Sequence, residues 1–187
     1  MLRALFCSFL FMAVPASAQV YEVGVFADSC TGSQVSVLTP AIFKVSVCAH
    51  VQDPPNPGNC LHPALAVQCR ISGFLDSWAV TATPNPEASH VTGDPLGLEG
   101  GEMVVPLEGS STIPLYTLTV NAPAESRETD LIIQGRNEDC PLARFLADNC
   151  DYAYLCAETQ SLHVATTQFA PVLESTWSLL KARYLTP

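Results

Sequence analysis

Phe43-Lys44-Val45-Ser46-Val47-Cys48-Ala49-His50 alternates strictly between two kinds of side chain. Its odd-numbered residues are apolar, and its even-numbered residues are Lys, Ser, Cys and His. Because successive side chains of a β-strand point to opposite faces of a sheet, this alternation predicts a strand with one face against a core. An amphipathic helix would instead need apolar residues three or four positions apart.

The same rhythm recurs in short runs on both sides of this stretch. It predicts further strands near 21–25, 34–37, 64–72, 77–83, 102–105, 113–121, 130–134 and 160–167. Turn formers such as Asn85-Pro86, Gly93-Asp94-Pro95 and Gly100-Gly101 separate these runs. About nine short strands at this spacing predict a mainly β protein, an antiparallel β-sandwich over residues 19–170.

One internal segment breaks the strand rhythm and predicts a short helix near 140–148. Asp139 can cap such a helix, and Pro141 can occupy its first turn, where the missing N–H costs nothing.

The carboxyl end, residues 171–187, predicts an amphipathic helical tail. Ser175 can cap it, and Trp177, Leu180 and Tyr184 fall on one face. The tail either docks on the sandwich or offers these three side chains to a partner protein, and isolated helices of this length favour docking.

The first 18 residues predict a secretory signal peptide. Arg3 precedes an apolar run from Ala4 to Val14, and a small-residue cleavage site ends at Ala18. The apolar run is too short to span a membrane, and no later stretch is longer. We therefore expect a protein without a membrane span that is secreted, periplasmic or held at the cell surface.

The chain is acidic, with 18 Asp and Glu residues against 8 Lys and Arg residues. This balance argues against nucleic-acid binding. No Lys or Arg occurs between Arg70 and Arg127, a stretch that holds seven acids. Within it, Asp94, Glu99 and Glu102 lie among glycines and offer the oxygen ligands that calcium prefers, although their spacing is not that of an EF-hand. No other cofactor is indicated.

Seven cysteines follow the predicted cleavage site: Cys30, Cys48, Cys60, Cys69, Cys140, Cys150 and Cys156. Export to an oxidising compartment favours disulfides, and the odd number leaves one thiol over. The sequence does not fix the connectivity; the spacing favours a local bridge between Cys48 and Cys60 and one bridge within the last three cysteines. Cys48-Ala49-His50 and Cys60-Leu61-His62 could also supply zinc ligands, but oxidation of exported cysteines is the stronger expectation.

No catalytic signature stands out. A nucleophile elbow, a zinc-protease helix and a phosphate-binding glycine loop are all missing from the sequence. Aromatic platforms for sugars would come from Trp78, Tyr116, Tyr152 or Tyr154, but the strand patterns favour a core position for Trp78 and Tyr116.

The opening 21–28 with Cys30-Thr31, and the closing 175–181, resemble the ends of small uncharacterised exported proteins of bacteria. Those proteins are similar in pattern to cohesin-like or immunoglobulin-like sandwiches. The resemblance implies a non-catalytic binding or structural module with a protein or carbohydrate ligand. Two alternatives remain: a secreted hydrolase that uses carboxylates of the 87–108 loop, and an envelope assembly protein that binds a partner through its terminal helix.

Overall fold

The computed structural model describes residues 21–51, 64–107, 111–135, 140–147, 150–151 and 155–168. The predicted signal peptide, Cys60, Tyr152, Tyr154 and the predicted helical tail with Trp177, Leu180 and Tyr184 lie outside these residues.

The described part of the chain contains fourteen strands. They are β1 (Tyr21–Phe26), β2 (Gln34–Thr39), β3 (Ala41–Val51), β4 (Ala64–Ser72), β5 (Ala79–Pro84), β6 (His90–Gly93), β7 (Gly101–Pro106), β8 (Thr112–Ala122), β9 (Arg127–Gln134), β10 (Leu142–Ala147), β11 (Cys150–Asp151), β12 (Leu155–Cys156), β13 (Glu158–Gln160) and β14 (Leu162–Gln168). Each of the nine predicted strands overlaps an observed one, so the mainly β prediction is confirmed.

The strands form two sheets. The five-stranded sheet has the order β13-β1-β3-β8-β5. The nine-stranded sheet follows the path β11-β10-β4-β9-β14-β2, with β7 beside β4, β6 beside β7 and β12 beside β10. Pairing is antiparallel except between β1 and β13 and between β2 and β14, which run parallel.

The core lies between the two sheets and follows from the alternation in the sequence. Val45 and Val47 of β3 lie opposite Leu118 and Tyr116 of β8 in the pairing register, and all four are buried. Leu65 of β4 is among the largest fully buried side chains of the opposite sheet. Each fully buried aliphatic side chain of this size stabilises the fold by roughly 1.5–3 kcal/mol.

A polar contact fixes the loop that follows β8 to the edge of the core. Glu125 Oε1 accepts hydrogen bonds from Trp78 Nε1 at 2.6 Å and from Ser77 Oγ at 2.8 Å. The Thr39 hydroxyl donates to the Glu125 carbonyl at 2.7 Å. The Trp78 ring packs edge-on against Phe43, so one carboxylate satisfies the indole N–H at the margin of the core.

The predicted helix near 140–148 is wrong, because residues Leu142–Ala147 form strand β10. β10 pairs with β4 over five residues, from Leu142 opposite Gln68 to Leu146 opposite Ala64. The backbone groups along that edge of β4 need hydrogen-bond partners, which a strand supplies and a two-turn helix does not.

Among the residues that the structure describes, two disulfides are present, Cys30–Cys48 and Cys140–Cys156. The predicted Cys48–Cys60 bridge is wrong, and the predicted bridge within the last three cysteines is confirmed. Cys48 lies opposite Gly24 of β1 and beneath the turn after β1, where Ser29 and Cys30 adopt left-handed backbone conformations. This turn brings Cys30 to Cys48, which the linear spacing does not reveal.

Candidate functional site

The outer surface of the five-stranded sheet carries a flat area that the other described residues leave open. It consists of side chains from β3, β8 and β5 that alternate with core residues, and we call it the open face. Its members are Ile42, Lys44, Ser46, Thr117, Thr119, Asn121, Ala79, Thr81 and Thr83. Ser46 and Thr119 are half-buried, and the other seven are exposed.

The register arranges the open face in three rows across the strands. The first row is Ile42, Asn121 and Ala79; the second is Lys44, Thr119 and Thr81; the third is Ser46, Thr117 and Thr83. With the usual spacings of a sheet, the first and third rows lie about 13 Å apart along the strands and the three strands span about 10 Å. The result is a short array of hydroxyl groups.

The open face differs in charge from the molecule that bears it. The chain has a formal net charge of −10, yet the open face contains no Asp or Glu and one Lys, Lys44. Its most exposed apolar side chain is Ile42, which is 70% exposed at the end of the first row. A surface with a single charged side chain and an exposed Ile is the kind of area that a partner can desolvate at low cost.

An open groove of about 360 Å³ continues the open face at its third row. We call it the proline groove; the residues that line it include Thr83, Pro84, Asn85, Pro86, Glu87, Pro114 and Thr117. All three prolines are exposed. Since Thr83 and Thr117 belong to both areas, the open face and the proline groove form one continuous surface.

The proline groove is rigid because of a bulge and one side chain. The pairing of β3 with β8 shifts register between Val47 and Cys48, which leaves an extra residue in β8 beside Pro114. A bulge is a place where a strand tolerates proline. Asn85 Nδ2 donates to the Pro114 carbonyl at 2.7 Å, and Asn85 Oδ1 accepts the Glu87 N–H at 3.0 Å. These bonds hold both walls in place.

The other end of the same outer surface is closed. Phe26, Cys30 and Cys48 form a small buried cluster there, separate from the main core. The His50 ring packs edge-on against Phe26 at 5.1 Å between ring centroids, and its Nδ1 lies 3.0 Å from the Thr112 hydroxyl. The Cys30–Cys48 disulfide therefore covers the β1 side and confines the open face to β3, β8 and β5.

The residues predicted to bind calcium are only partly brought together. Glu99 and Glu102 line one cavity of about 190 Å³, and Asp94 is not among its lining residues. Asp94 Oδ1 instead accepts the Leu96 N–H at 2.9 Å. The described residues include no group of three or more His, Cys, Asp or Glu side chains that could hold a metal ion. A calcium site that also uses backbone oxygens stays a prediction.

The core positions predicted for Trp78 and Tyr116 are confirmed, because both side chains are buried. The Tyr116 hydroxyl has no hydrogen-bond partner among the described residues. Burial raises the pKa of Tyr116, and the nearby Cys69 and Asp94 raise it further. Cys69 is a buried free cysteine, and burial raises the pKa of its thiol to about 12. Neither group lies on the open face.

Sequence reasoning did not single out the open face. The repeated threonines at alternate positions, 81 with 83 and 117 with 119, give a signal for an exposed, uncharged strand face. The proline groove had no such signal, because its shape depends on the β8 bulge and on Asn85.

No protein-family model and no curated protein matches the chain. Among solved structures, the chain is similar to the seventh ScaB type I cohesin from Pseudobacteroides cellulosolvens, with 10% identity, a TM-score of 0.52, and coverage of 82% of this chain and 96% of that one. A type I cohesin–dockerin complex from Clostridium thermocellum gives 9% identity, a TM-score of 0.45 and coverage of 79% and 99%. A non-cellulosomal cohesin from Archaeoglobus fulgidus gives 9% identity, a TM-score of 0.44, and coverage of 85% of this chain and 97% of that one.

The first of these similarities shows a cohesin-like β-sandwich fold, as the resemblance in the sequence predicts. At this level of identity it concerns the fold alone. The two disulfides fit an extracellular protein. Within the described ranges, the structure contains no helix with the length and apolar character to cross a membrane.

Proposed function

We propose that this chain is an exported, non-catalytic binding module that holds a protein partner on its open face. The observation that supports this proposal best is the continuous surface made by the open face and the proline groove. The open face within it is flat, free of Asp and Glu and built on three neighbouring strands, and Glu87 is the one acidic residue among the described residues that line the groove. The cohesin-like fold also supports a binding role, because a sandwich of this kind presents flat sheet faces to solvent.

The surface offers two places for apolar anchors, one at each end. Ile42 projects at the first row, and the proline groove receives a side chain at the third. A partner must therefore carry two apolar groups about 13 Å apart, with hydrogen-bonding groups between them for the threonine hydroxyls. The prolines and the Asn85 hydrogen bonds fix the groove before binding, which lowers the entropy cost of association.

The chemistry of the open face favours a protein over a carbohydrate. Sugar-binding surfaces use aromatic rings as platforms, and the nine side chains of the open face include no aromatic residue. Lys44 supplies its single charge, so the matching partner places an acidic group opposite Lys44.

Export is part of the proposal. The predicted signal peptide and the Cys30–Cys48 and Cys140–Cys156 disulfides support it. Mass spectrometry of the protein from its native host tests it: we expect an N-terminus at Gln19 outside the cytoplasm. A cytoplasmic protein that retains residues 1–18 would contradict export.

The two alternative functions keep their own tests. Glu99 and Glu102 share a cavity, so a hydrolase would lose its activity in Glu99→Gln while Glu128→Gln stays active. An assembly protein that binds through its terminal helix would lose its partner in Trp177→Ala and keep it in Ile42→Lys.

Photo-crosslinking tests the proposed surface directly. A photoreactive residue replaces Thr81, on the open face, or Thr167, an exposed residue of β14 in the other sheet. We expect the Thr81 probe to capture one protein from the exported fraction of the native host, and Lys44→Glu to reduce that capture. Equal capture from both positions, or capture unaffected by Lys44→Glu, would contradict the proposal.

A further inference from the structure

Strand β6 (His90–Gly93) is an edge of the nine-stranded sheet. In the described part of the chain it pairs with β7 alone, and all four of its residues are exposed. The backbone N–H and C=O groups on the side away from β7 therefore face solvent and can pair with an incoming strand.

Strand β6 has only part of the usual protection of an edge strand. Natural edges are kept short or are blunted by proline, lysine or inward-pointing charge; β6 is short, at four residues, but contains no proline, lysine or inward-pointing charge. By comparison, the edge strand β5 ends in Pro84. Val91 lies opposite Met103, a core residue, yet Val91 is 40% exposed. An added strand would cover this apolar side chain.

An acidic cavity lies on the outer side of the same edge. Thr92, Glu99 and Glu102 line it, and Thr92 pairs directly with Glu102. Gln68 Nε2 donates to Glu102 Oε2 at 3.1 Å, which orients that carboxylate. The described residues that line the cavity include the Glu99 and Glu102 carboxylates and no Lys or Arg, so its lining is acidic.

We infer that β6 binds an extended basic peptide segment of another protein by strand addition. Alternate side chains of an added strand point to opposite faces. The residue opposite Thr92 therefore lies beside Glu99 and Glu102 and is Lys or Arg, and the residue opposite Val91 is apolar. This site is separate from the open face and does not depend on the proposed function.

The test uses a short peptide of alternating lysine and valine, added to the ¹⁵N-labelled full-length protein. We expect saturable chemical-shift changes that centre on residues 90–93, Glu99 and Glu102. The same peptide with glutamate in place of lysine should show no binding. Methylation of alternate backbone nitrogens, which removes the edge hydrogen bonds, should weaken binding by about tenfold.

Variants of the protein separate the two parts of the site. Glu99→Gln combined with Glu102→Gln should weaken binding about fivefold, and Glu128→Gln, the same change on an exposed position of β9, should leave it unchanged. Val91→Lys should abolish binding. Ile42→Lys should have no effect, because it alters only the open face.

Several results would overturn the inference. Equal binding of the lysine and glutamate peptides would show that the acidic cavity is not part of the binding site. Chemical-shift changes on the open face, or no saturable binding at millimolar peptide, would show that β6 does not bind the peptide. Concentration-dependent dimerisation that Val91→Lys prevents would assign this edge to a second copy of the chain instead of a peptide.

Discussion

Removal of the Cys30–Cys48 disulfide gives a stability change whose size follows from the structure. The bond joins residues 18 apart in sequence. Closing a loop of that length constrains the unfolded chain by about 3 kcal/mol in the entropic model. Both cysteines are buried with Phe26, so the double variant Cys30→Ala with Cys48→Ala also leaves a small cavity worth about 1 kcal/mol. We expect a total loss of about 4 kcal/mol.

The second disulfide supplies the matched control. Cys140–Cys156 spans 16 residues, so its entropic contribution is also about 3 kcal/mol. Cys156 is exposed, and its removal leaves no buried cavity. The variant Cys140→Ala with Cys156→Ala should therefore lose about 1 kcal/mol less than the first double variant.

Urea unfolding followed by far-ultraviolet circular dichroism measures both losses. The dependence of the unfolding free energy on urea must stay similar between variants for the comparison to hold. A loss below about 1.5 kcal/mol for the Cys30 and Cys48 variant would refute the reasoning, because it is less than about half of the loop entropy alone. A larger loss for the Cys140 and Cys156 variant would refute the role assigned to the buried cluster.

Four further outcomes follow from single features of the structure. Glu125→Ala should lower the unfolding free energy by about 1–3 kcal/mol, because it leaves the Trp78 indole N–H without its acceptor, whereas Glu125→Gln should lose less; urea unfolding distinguishes them. Tyr116→Phe should keep or raise stability by about 1 kcal/mol in the same assay, since it deletes a buried hydroxyl without a partner among the described residues, and a loss of that size would contradict this. Burial raises the pKa of the Cys69 thiol from 9.0 to about 12. Between these two values the thiol ionises only in the unfolded chain, so the unfolding free energy should fall as the pH rises from 9 toward 12. Unfolding curves between about pH 8 and 11 should show this decline, and Cys69→Ala should flatten it. The predicted calcium site should raise the melting temperature in millimolar Ca²⁺ relative to chelator, because an ion that binds the folded chain stabilises it. An unchanged melting temperature would contradict the calcium site.

The strand content could be predicted because the alternation is a local property of the sequence. The alternation around Val45 and Val47 predicts that these side chains face the core, and this prediction needs no knowledge of any other strand. Residues 142–147 could not be assigned in this way, since Leu142, Phe145 and Leu146 are also spaced as in a helix. The free edge of β4 determines the outcome, and that edge exists only once the sheet has formed.

The disulfides and the candidate site show the same limit. Cys48 meets Cys30 because the β1 and β3 register places it under a left-handed turn. The alternating threonines at 117 and 119 could have indicated an exposed, uncharged face. The pairing of β5 with β8 places these threonines beside Thr81 and Thr83 and beside the groove. Because this pairing connects residues that are distant in sequence, a local pattern could not predict it.

The central claim is that a protein partner binds the open face, and calorimetry with the captured partner tests it most directly. Ile42→Lys and Thr117→Arg place a charge at the two ends of the open face, and Thr167→Arg is the matched control on the other sheet. We expect each open-face variant to weaken binding at least about tenfold, as loss of an anchor does, while Thr167→Arg binds like the unmodified protein. Unchanged affinity in both open-face variants, or an equal loss in Thr167→Arg, would contradict the claim.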